Sequence, residues 1–575
     1  MTEISKIIDK ALEENTFGKD FEFRKNQREV VEAICAAYLE DQSATLVIDA
    51  PTGSGKSLIA MWSSHVLKEL GNKGYLITSD LALQDQYESD FYKYGLKWPS
   101  IKGVDNYECT VNGLPFSLGD CKLKGMGYEQ AEKLHCYQSC DYLQNRKRAI
   151  NLPVALLNYS FWLIQRNYVE SKMVESNRKV PFEKRDFVFF DEAHRVDDIV
   201  QSHFSPRIDD GLVDKCVYIN RFVNRVNVSV ETQTKGSLQR IVNDLMSNED
   251  PAHLLNIMVD FKHAMGTYRS MQNRLKSVAK SRFGSSSIPS DWQSAFTTLD
   301  RIKDIYCKFD DYIDIIEENG LESMVIDHRE GESRFMCVKE RQMIKKYLHE
   351  QSGFKVFMSA TIGDPRSFVD IMGIDNAKFI RMDNDFNYDK SPIVFVNRHR
   401  LSYKEREKNL PKVVEILDKV LEKHMDQRGI IHSGSYMFSK FIKENSKFSD
   451  RLIEYSDSKT KKEALKLFKE DSNKILLGPS ILEGLDLKDE TSRFQIFFKV
   501  PYPSLGDPLI KAKLNQSNVW YNWKTSNQIM QGIGRSVRSK DDWAVTYILD
   551  ASFSQLLGKT DAFPPSFTKR IKTIT

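Results

Sequence analysis

Short, nearly continuous apolar runs recur along the chain, each bounded by polar turn residues or by stretches with helical spacing. Ala44-Thr45-Leu46-Val47-Ile48, Gly74-Tyr75-Leu76-Ile77-Thr78, Val154-Ala155-Leu156-Leu157 and Phe187-Val188-Phe189-Phe190 form a first group. Lys355-Val356-Phe357-Met358, Gly429-Ile430-Ile431-His432, Lys474-Ile475-Leu476-Leu477 and Phe494-Gln495-Ile496-Phe497-Phe498 continue the series. Runs of this length without alternation predict strands buried on both faces, as in parallel sheets. The helical patterns between them predict an α/β chain with doubly wound domains. The strands fall into two groups, before about residue 200 and after about residue 355. Between them, Ser237–Met246 and Ile302–Tyr306 have helical spacing, and Gly284-Ser285-Ser286-Ser287 reads as a loop. A mainly helical insertion is therefore expected at 201–330, and the polar stretch Asn387–Pro392 suggests a second boundary.

Composition narrows the class only slightly. The 575 residues leave room for three or four domains, and 41% hydrophobic with 28% charged residues is ordinary for a globular protein. A net charge of +3 excludes a polycation but leaves room for a local basic groove. No apolar leader and no long uncharged apolar run is present, so a cytoplasmic location without a membrane partner is expected. In that reducing setting clustered cysteines read as metal ligands rather than disulfides.

Chemistry enters with Ala50-Pro51-Thr52-Gly53-Ser54-Gly55-Lys56-Ser57, which follows one apolar run and precedes the helical Leu58-Ile59-Ala60-Met61-Trp62. That context suits a phosphate-binding loop: backbone N–H groups and a helix N-terminus face an anion. Thr52, Gly53, Ser54 and Gly55 would form the cradle, Lys56 would neutralise the β/γ-phosphates of ATP, and Ser57 would reach Mg²⁺. The DEAH box Asp191-Glu192-Ala193-His194 ends the apolar run at Phe190. There Asp191 would hold Mg²⁺ and Glu192 would activate water, with an acidic helix N-cap as the plain alternative. Near the C-terminus, Gln531-Gly532-Ile533-Gly534-Arg535-Ser536-Val537-Arg538 spaces Arg535 and Arg538 for one helical face, as arginine fingers or as a solvated basic face.

Taken together these motifs resemble those of a superfamily 2 helicase with two RecA-like motor domains. Ser359-Ala360-Thr361 resembles the coupling motif of the first lobe. Glu483-Gly484-Leu485-Asp486 resembles the second-lobe motif that touches nucleotide and nucleic acid, here through Gly484 and Asp486. Arg24 and Gln27 resemble the adenine-reading segment, and Thr78-Ser79-Asp80 with Leu83-Gln84 a strand-contacting one. Cys136-Tyr137-Gln138-Ser139-Cys140-Asp141-Tyr142, then Asn158-Tyr159 and Lys499-Val500-Pro501-Tyr502-Pro503, are similar to the XPD/DinG iron–sulfur branch of DNA helicases. The resemblance implies ATP-dependent 5′→3′ movement on single-stranded DNA with unwinding of duplex; single-stranded and tailed or forked duplex DNA are the expected partners, and a monomer is the expected state. A remodelling translocase that displaces proteins, or an RNA helicase, is the alternative.

Four of the eight cysteines, Cys109, Cys121, Cys136 and Cys140, fall between the two nucleotide motifs. A four-cysteine set holds zinc or an iron–sulfur cluster, and spacing alone does not decide between them. With one close pair instead of two, and with the resemblance, a [4Fe–4S] cluster is expected and zinc is the alternative. Arg146, Lys147 and Arg148 beside them are candidates for DNA contact. The expected division is motor domain 1 at 1–105, 150–200 and 331–388, a cluster domain at 106–149, the helical Arch-like insertion at 201–330, and motor domain 2 at 389–575.

Overall fold

The computed structural model describes the chain except for residues 1, 20, 52, 166–179, 285, 351–352, 383–387, 456–457, 472, 480–488, 535, 538–541 and 560–561. The first of two large sheets contains β1 (Thr45–Asp49), β2 (Gly74–Thr78), β3 (Val154–Asn158), β4 (Phe187–Phe190), β5 (Phe354–Ser359) and β6 (Lys378–Arg381). Their order is β3-β2-β4-β5-β1-β6 and every pairing is parallel. Successive side chains go to opposite faces of a strand. Val47, Ile77, Val188 and Phe190 therefore enter one core, while Leu46, Ile48, Leu76 and Phe189 enter the other. Burial on both faces is what makes these strands read as unbroken apolar runs.

The second sheet contains β7 (Ile393–His399), β8 (Gly429–His432), β9 (Leu452–Glu454), β10 (Ile475–Gly478), β11 (Phe494–Phe497), β12 (Val545–Asp550) and β13 (Ile571–Ile574). Its order is β9-β10-β8-β11-β12-β7-β13, again parallel throughout. Helices flank both sheets, so the α/β architecture with two RecA-like lobes expected from the sequence is present. Strands β6 and β13 escape the apolar pattern because they are largely exposed edges.

Residues 212–319 are helical, with helices Leu212–Arg225, Lys235–Ser247, Pro251–Phe283 and Ser290–Asn319. The last two run 33 and 30 residues and pack along each other through Phe261 and Phe309, whose rings lie 4.8 Å apart. The segment is not helical alone. Strands Arg207–Asp209, Met324–Arg329 and Glu332–Cys337 form a small antiparallel sheet that helical spacing does not announce. Its tight turn uses Gly331 at φ 74°, a conformation that favours glycine. Among the described residues no helix is long and apolar enough to cross a membrane.

Gly74 shows how closely the first sheet is packed. It pairs with Phe187 across β2 and β4, and an added Cβ would stand 2.0 Å from the Phe187 ring. Gly74→Ala is expected to lower unfolding stability by about 1–3 kcal/mol, the usual cost of overpacking. Chemical denaturation checks this, and an unchanged midpoint would show that the ring swings aside freely.

Candidate functional site

Strands β1, β4 and β5 lie side by side, so the loops after them meet at one sheet edge, where open α/β sheets bind ligands. After β1 the backbone turns through Gly53 at φ 84° and Gly55 at φ 80°, and helix Lys56–Glu69 begins. Gln27 is 1% exposed; its Nε2 donates to the Ser54 carbonyl at 2.7 Å and its Oε1 accepts from the Arg24 N–H at 2.8 Å. Arg24 itself donates to the Gly53 carbonyl. Both residues thus brace the loop, and Gly55 is required twice over, since a Cβ there would meet Gln27 at 2.3 Å. The Ser54 hydroxyl is buried without a hydrogen-bond partner among the described residues. An unpaired hydroxyl beside a helix N-terminus is a donor set that fits a phosphate.

The acidic box extends from the buried end of β4. Asp191 is 4% exposed, and both its oxygens are engaged: Oδ2 accepts from the Tyr87 hydroxyl at 2.9 Å and Oδ1 from the Glu192 N–H at 2.9 Å. Tyr159 donates to the Asp191 carbonyl at 3.0 Å. Burial, then the neighbouring Glu192, raise the Asp191 carboxyl to about 6, with Lys56 and Tyr87 pulling the other way. Glu192 sits at φ 50°, an uncommon conformation for a side chain with a Cβ. It makes no side-chain cap bond to the short turn that follows, so the helix-cap alternative does not describe this box. Asp49, at the end of β1, is raised mainly by burial and opposed by Arg381 of β6, whose Nε donates to it at 2.9 Å.

A chain of polar contacts leads from this edge to the second lobe. His194 Nδ1 lies 3.2 Å from the Glu192 carboxylate and 2.8 Å from the Ser359 hydroxyl. Ser359 Oγ accepts from the Thr361 N–H at 3.0 Å, and Gln531 Nε2 reaches Thr361 Oγ1 at 3.4 Å. Gln531 lies near the end of helix Asn518–Ile533. Thr52, Glu483, Gly484, Leu485, Asp486, Arg535 and Arg538 lie outside the described residues; the helix ends at Ile533, before either arginine. Next to the contact chain is a cavity of about 640 Å³ whose lining includes Arg195, Lys308, Lys461, Lys524 and Gln531.

The cysteine segment is built from very short helical pieces between 104 and 139, followed by helix Asp141–Asn151. Its core is aromatic: Tyr142 packs on Phe116 at 4.5 Å and Tyr107 at 5.3 Å between ring centroids. All four cysteines are free thiols and lie near one another. Burial first, then Cys109, Cys140 and Cys136, push the Cys121 thiol up to about 11. Burial also raises Cys136 and Cys140. Among the described residues no group of three or more His, Cys, Asp or Glu is arranged to hold a single metal ion. Arg146 stacks on Tyr128 at 3.5 Å, Lys147 pairs with Glu132 at 3.1 Å, and Arg148 donates to the Lys97 carbonyl at 3.1 Å.

Two family models match, one described as a helicase C-terminal domain over residues 420–567 and one as the type III restriction enzyme res subunit over 20–206. The ATP-dependent DNA helicase YoaA of Escherichia coli is 22% identical, with 92% of this chain and 91% of that protein aligned. YoaA of Haemophilus influenzae is 23% identical over the same shares. A solved XPD helicase superposes with a TM-score of 0.61 at 14% identity, covering 96% of this chain and all of the other. The S. tokodaii Xpd4 structure gives 0.59 at the same identity and coverage. Over about nine-tenths of its length the chain is thus similar to ATP-dependent DNA helicases, and its fold is that of the XPD helicases.

Within this XPD/DinG-type frame, several residues that motif reading passed over stand beside the site. Tyr87 supports Asp191 from 104 positions away, and Arg195 pairs with Asp80 at 2.9 Å, tying the acidic box to the strand-contacting motif. No local pattern marks Tyr87, because only the fold brings helix Leu81–Lys93 against β4; the apolar spacing of that helix was the one available signal. The buried Asp191 also has a thermodynamic consequence. Its folded carboxyl, at about 6 against an ordinary 3.8, binds a proton more tightly than the unfolded chain does, so its contribution to stability falls as pH rises through that window. Asp191→Asn is therefore expected to stabilise the nucleotide-free protein above about pH 6 and to give no gain below about pH 4. Unfolding midpoints measured at both ends check it, and an equal gain at both would refute the charge argument.

Proposed function

We propose that this helicase-family protein is an ATP-driven motor that moves 5′→3′ along single-stranded DNA and unwinds tailed or forked duplex as a monomer. The observation that carries the reading is the contact chain from Glu192 through His194, Ser359 and Thr361 to Gln531, because it joins a phosphate-loop edge to the opposite lobe. In this reading ATP lies between the lobes. Arg24 and Gln27 stand at its base side, residues Thr52 to Gly55 cradle its phosphates, and Lys56 neutralises the charge between β and γ. Ser57 and Asp191 are the Mg²⁺ ligands. Glu192, its carboxylate held toward His194, orients the attacking water and takes its proton. Gln531 with Arg535 and Arg538 reads the γ-phosphate from the second lobe, and Gly484 and Asp486 belong to the same face.

Loss of the γ-phosphate removes that cross-lobe anchor, and the change passes through Thr361 and Ser359 to the strand-holding surface. The cavity beside the contact chain, with Arg195, Lys308 and Lys461 in its wall and Asp198 held by Lys524, suits a phosphodiester backbone. Polarity rests on the resemblance to the XPD/DinG branch. Cys109, Cys121, Cys136 and Cys140 are proposed as the ligands of a [4Fe–4S] cluster. A single zinc ion would draw four sulfurs to about 2.3 Å from one point, whereas a cluster spreads its ligands over several irons. Four neighbouring thiols, none in a disulfide, are a donor set that either group could take, and the resemblance to the iron–sulfur branch favours the cluster. When bound, it would staple a segment whose own core is a handful of aromatic rings, leaving the neighbouring basic residues to guide the strand.

Lys56→Ala should reduce ATP hydrolysis by at least about a hundredfold while single-stranded DNA binding persists; persisting hydrolysis would unseat the phosphate-loop assignment. Strand displacement on 5′-tailed and 3′-tailed duplexes, in DNA and in RNA, tests polarity and substrate together. Preference for a 3′ tail or for RNA would overturn those parts of the reading. Cys136→Ser should lose iron and visible absorption along with unwinding, yet keep part of the DNA-independent ATPase. Normal unwinding without iron would remove the cluster from the mechanism.

A further inference from the structure

One buried polar contact joins helix Val196–His203 of the first lobe to helix Asn518–Ile533 of the second. Asp197 is 0% exposed, and its carboxylate accepts from Trp520 Nε1 at 3.0 Å and from Lys524 Nζ at 3.2 Å. Lys524 also reaches Asp198 at 2.6 Å. Lys513, itself buried, lies over the Trp520 ring at 4.3 Å. Both helices bear on the nucleotide edge. The first begins two residues after His194, and the second carries Gln531 two turns beyond Lys524.

Around this contact the packing is uneven. The 640 Å³ cavity lies on one side, with Asp198 and Lys524 in its wall. A second cavity of about 220 Å³ lies on the other, with Asp197, Lys513 and Trp520 in its wall. On the same helix Trp523 is buried in the first-lobe core and donates to the Ile362 carbonyl at 2.8 Å. The lobes are thus held along one side of this helix while cavities flank the Asp197 contact; a continuous close-packed surface would resist rotation more. Hydrogen bonding is uneven in the same way. At this contact, the Asp197 carboxylate, the indole N–H and the Lys524 ammonium are all paired. One turn nearer the nucleotide edge, Asn527 is buried beside Gly363 with neither amide atom paired among the described residues. The interface is therefore fully satisfied at Asp197 and unsatisfied at Asn527, which a different lobe angle would change.

We propose that Asp197 is a positioning residue at the pivot between the lobes. Its contact with Trp520 and Lys524 stays closed through the cycle while the cleft at Asn527 and Gln531 opens and shuts. A buried carboxylate parted from its cation would be left uncompensated, so rotation about the contact is favoured over its rupture. The inference rests on the motor reading above and names the point about which its lobes turn.

The test uses the full chain with Asp197→Asn, which keeps an acceptor for Trp520 and removes the charge that holds Lys524. Because Lys524 keeps Asp198 as a partner, the thermal midpoint should fall without loss of folding, and DNA-independent ATP hydrolysis should stay near wild type. Stimulation of hydrolysis by single-stranded DNA should fall about tenfold, the scale of an ordinary coupling between sites. Energy transfer between dyes at the exposed positions Tyr92 and Tyr403, one on each lobe, should change from nucleotide-dependent discrete values to a broad spread. Asp197→Asn combined with Lys524→Gln, a neutral amide pair, should restore part of the stimulation. Wild-type stimulation and discrete lobe distances in Asp197→Asn would overturn the pivot. So would parallel loss of folding and all hydrolysis in both Asp197→Asn and the milder Trp520→Phe, which would make the contact purely structural. A wild-type chain without DNA-stimulated hydrolysis would strike the motor reading instead, and the nucleotide-dependent lobe distances would then judge the pivot alone.

Discussion

Keeping a carboxylate charged at the end of an apolar strand is the constraint around which the first lobe is arranged. Strand β4 is four aromatic or aliphatic residues, all buried, and it ends directly in Asp191. Nothing in such a setting favours a negative charge, so the surroundings must supply it. Tyr87 and the Glu192 N–H each give one of the carboxylate oxygens a donor, and Lys56 adds a positive field from the neighbouring loop. The strand order places β5 between β4 and β1, which sets the acidic box one strand away from the phosphate loop. Loop geometry, helix placement and the uncommon backbone of Glu192 all follow from holding these groups at one edge.

The same edge trades stability for chemistry. A carboxyl raised to about 6 binds a proton in the folded chain that it would release in the unfolded one, and its charged form is disfavoured by its surroundings. Sites of this kind are common where a cation or a developing charge is to be received. Asp49 repeats the theme one strand over, raised by burial and answered by Arg381 from the sheet edge. The polar contacts through His194, Ser359 and Thr361 then carry any movement of the second lobe back to this balance. Ser359 is the last residue of β5, so the relay is anchored in the sheet rather than in a loop.

The cysteine segment follows a different rule. Its helical pieces are three to five residues long, too short to be stable alone, and its core is a cluster of Tyr107, Phe116, Tyr128 and Tyr142. Small units with so little apolar surface commonly need a cross-link or a metal. Four neighbouring thiols, none bridged and three of them raised by burial and by their neighbours, are a poor arrangement for a metal-free protein. Their chemistry suits a bound centre that takes up their charge as thiolates.

How much of this was legible depended on distance along the chain. Local rules reach a few residues, and wherever the physics is local the sequence alone was sufficient. Strands β1 to β5 announced themselves because burial on both faces forbids polar interruption, and the phosphate loop because glycines and a lysine must precede a helix. The exposed edge strands β6 and β13 left no such mark, and neither did the antiparallel hairpin beside the long helices. The support of Asp191 by Tyr87 spans 104 positions and the joining of Asp197 to Trp520 spans 323. No periodicity or motif connects residues so far apart. The sequence by itself determined the fold class, the two nucleotide motifs and the presence of a four-cysteine set. Only the tertiary structure decided which side chains steady the acidic box and where the lobes touch, because those contacts depend on how distant helices pack on the sheets.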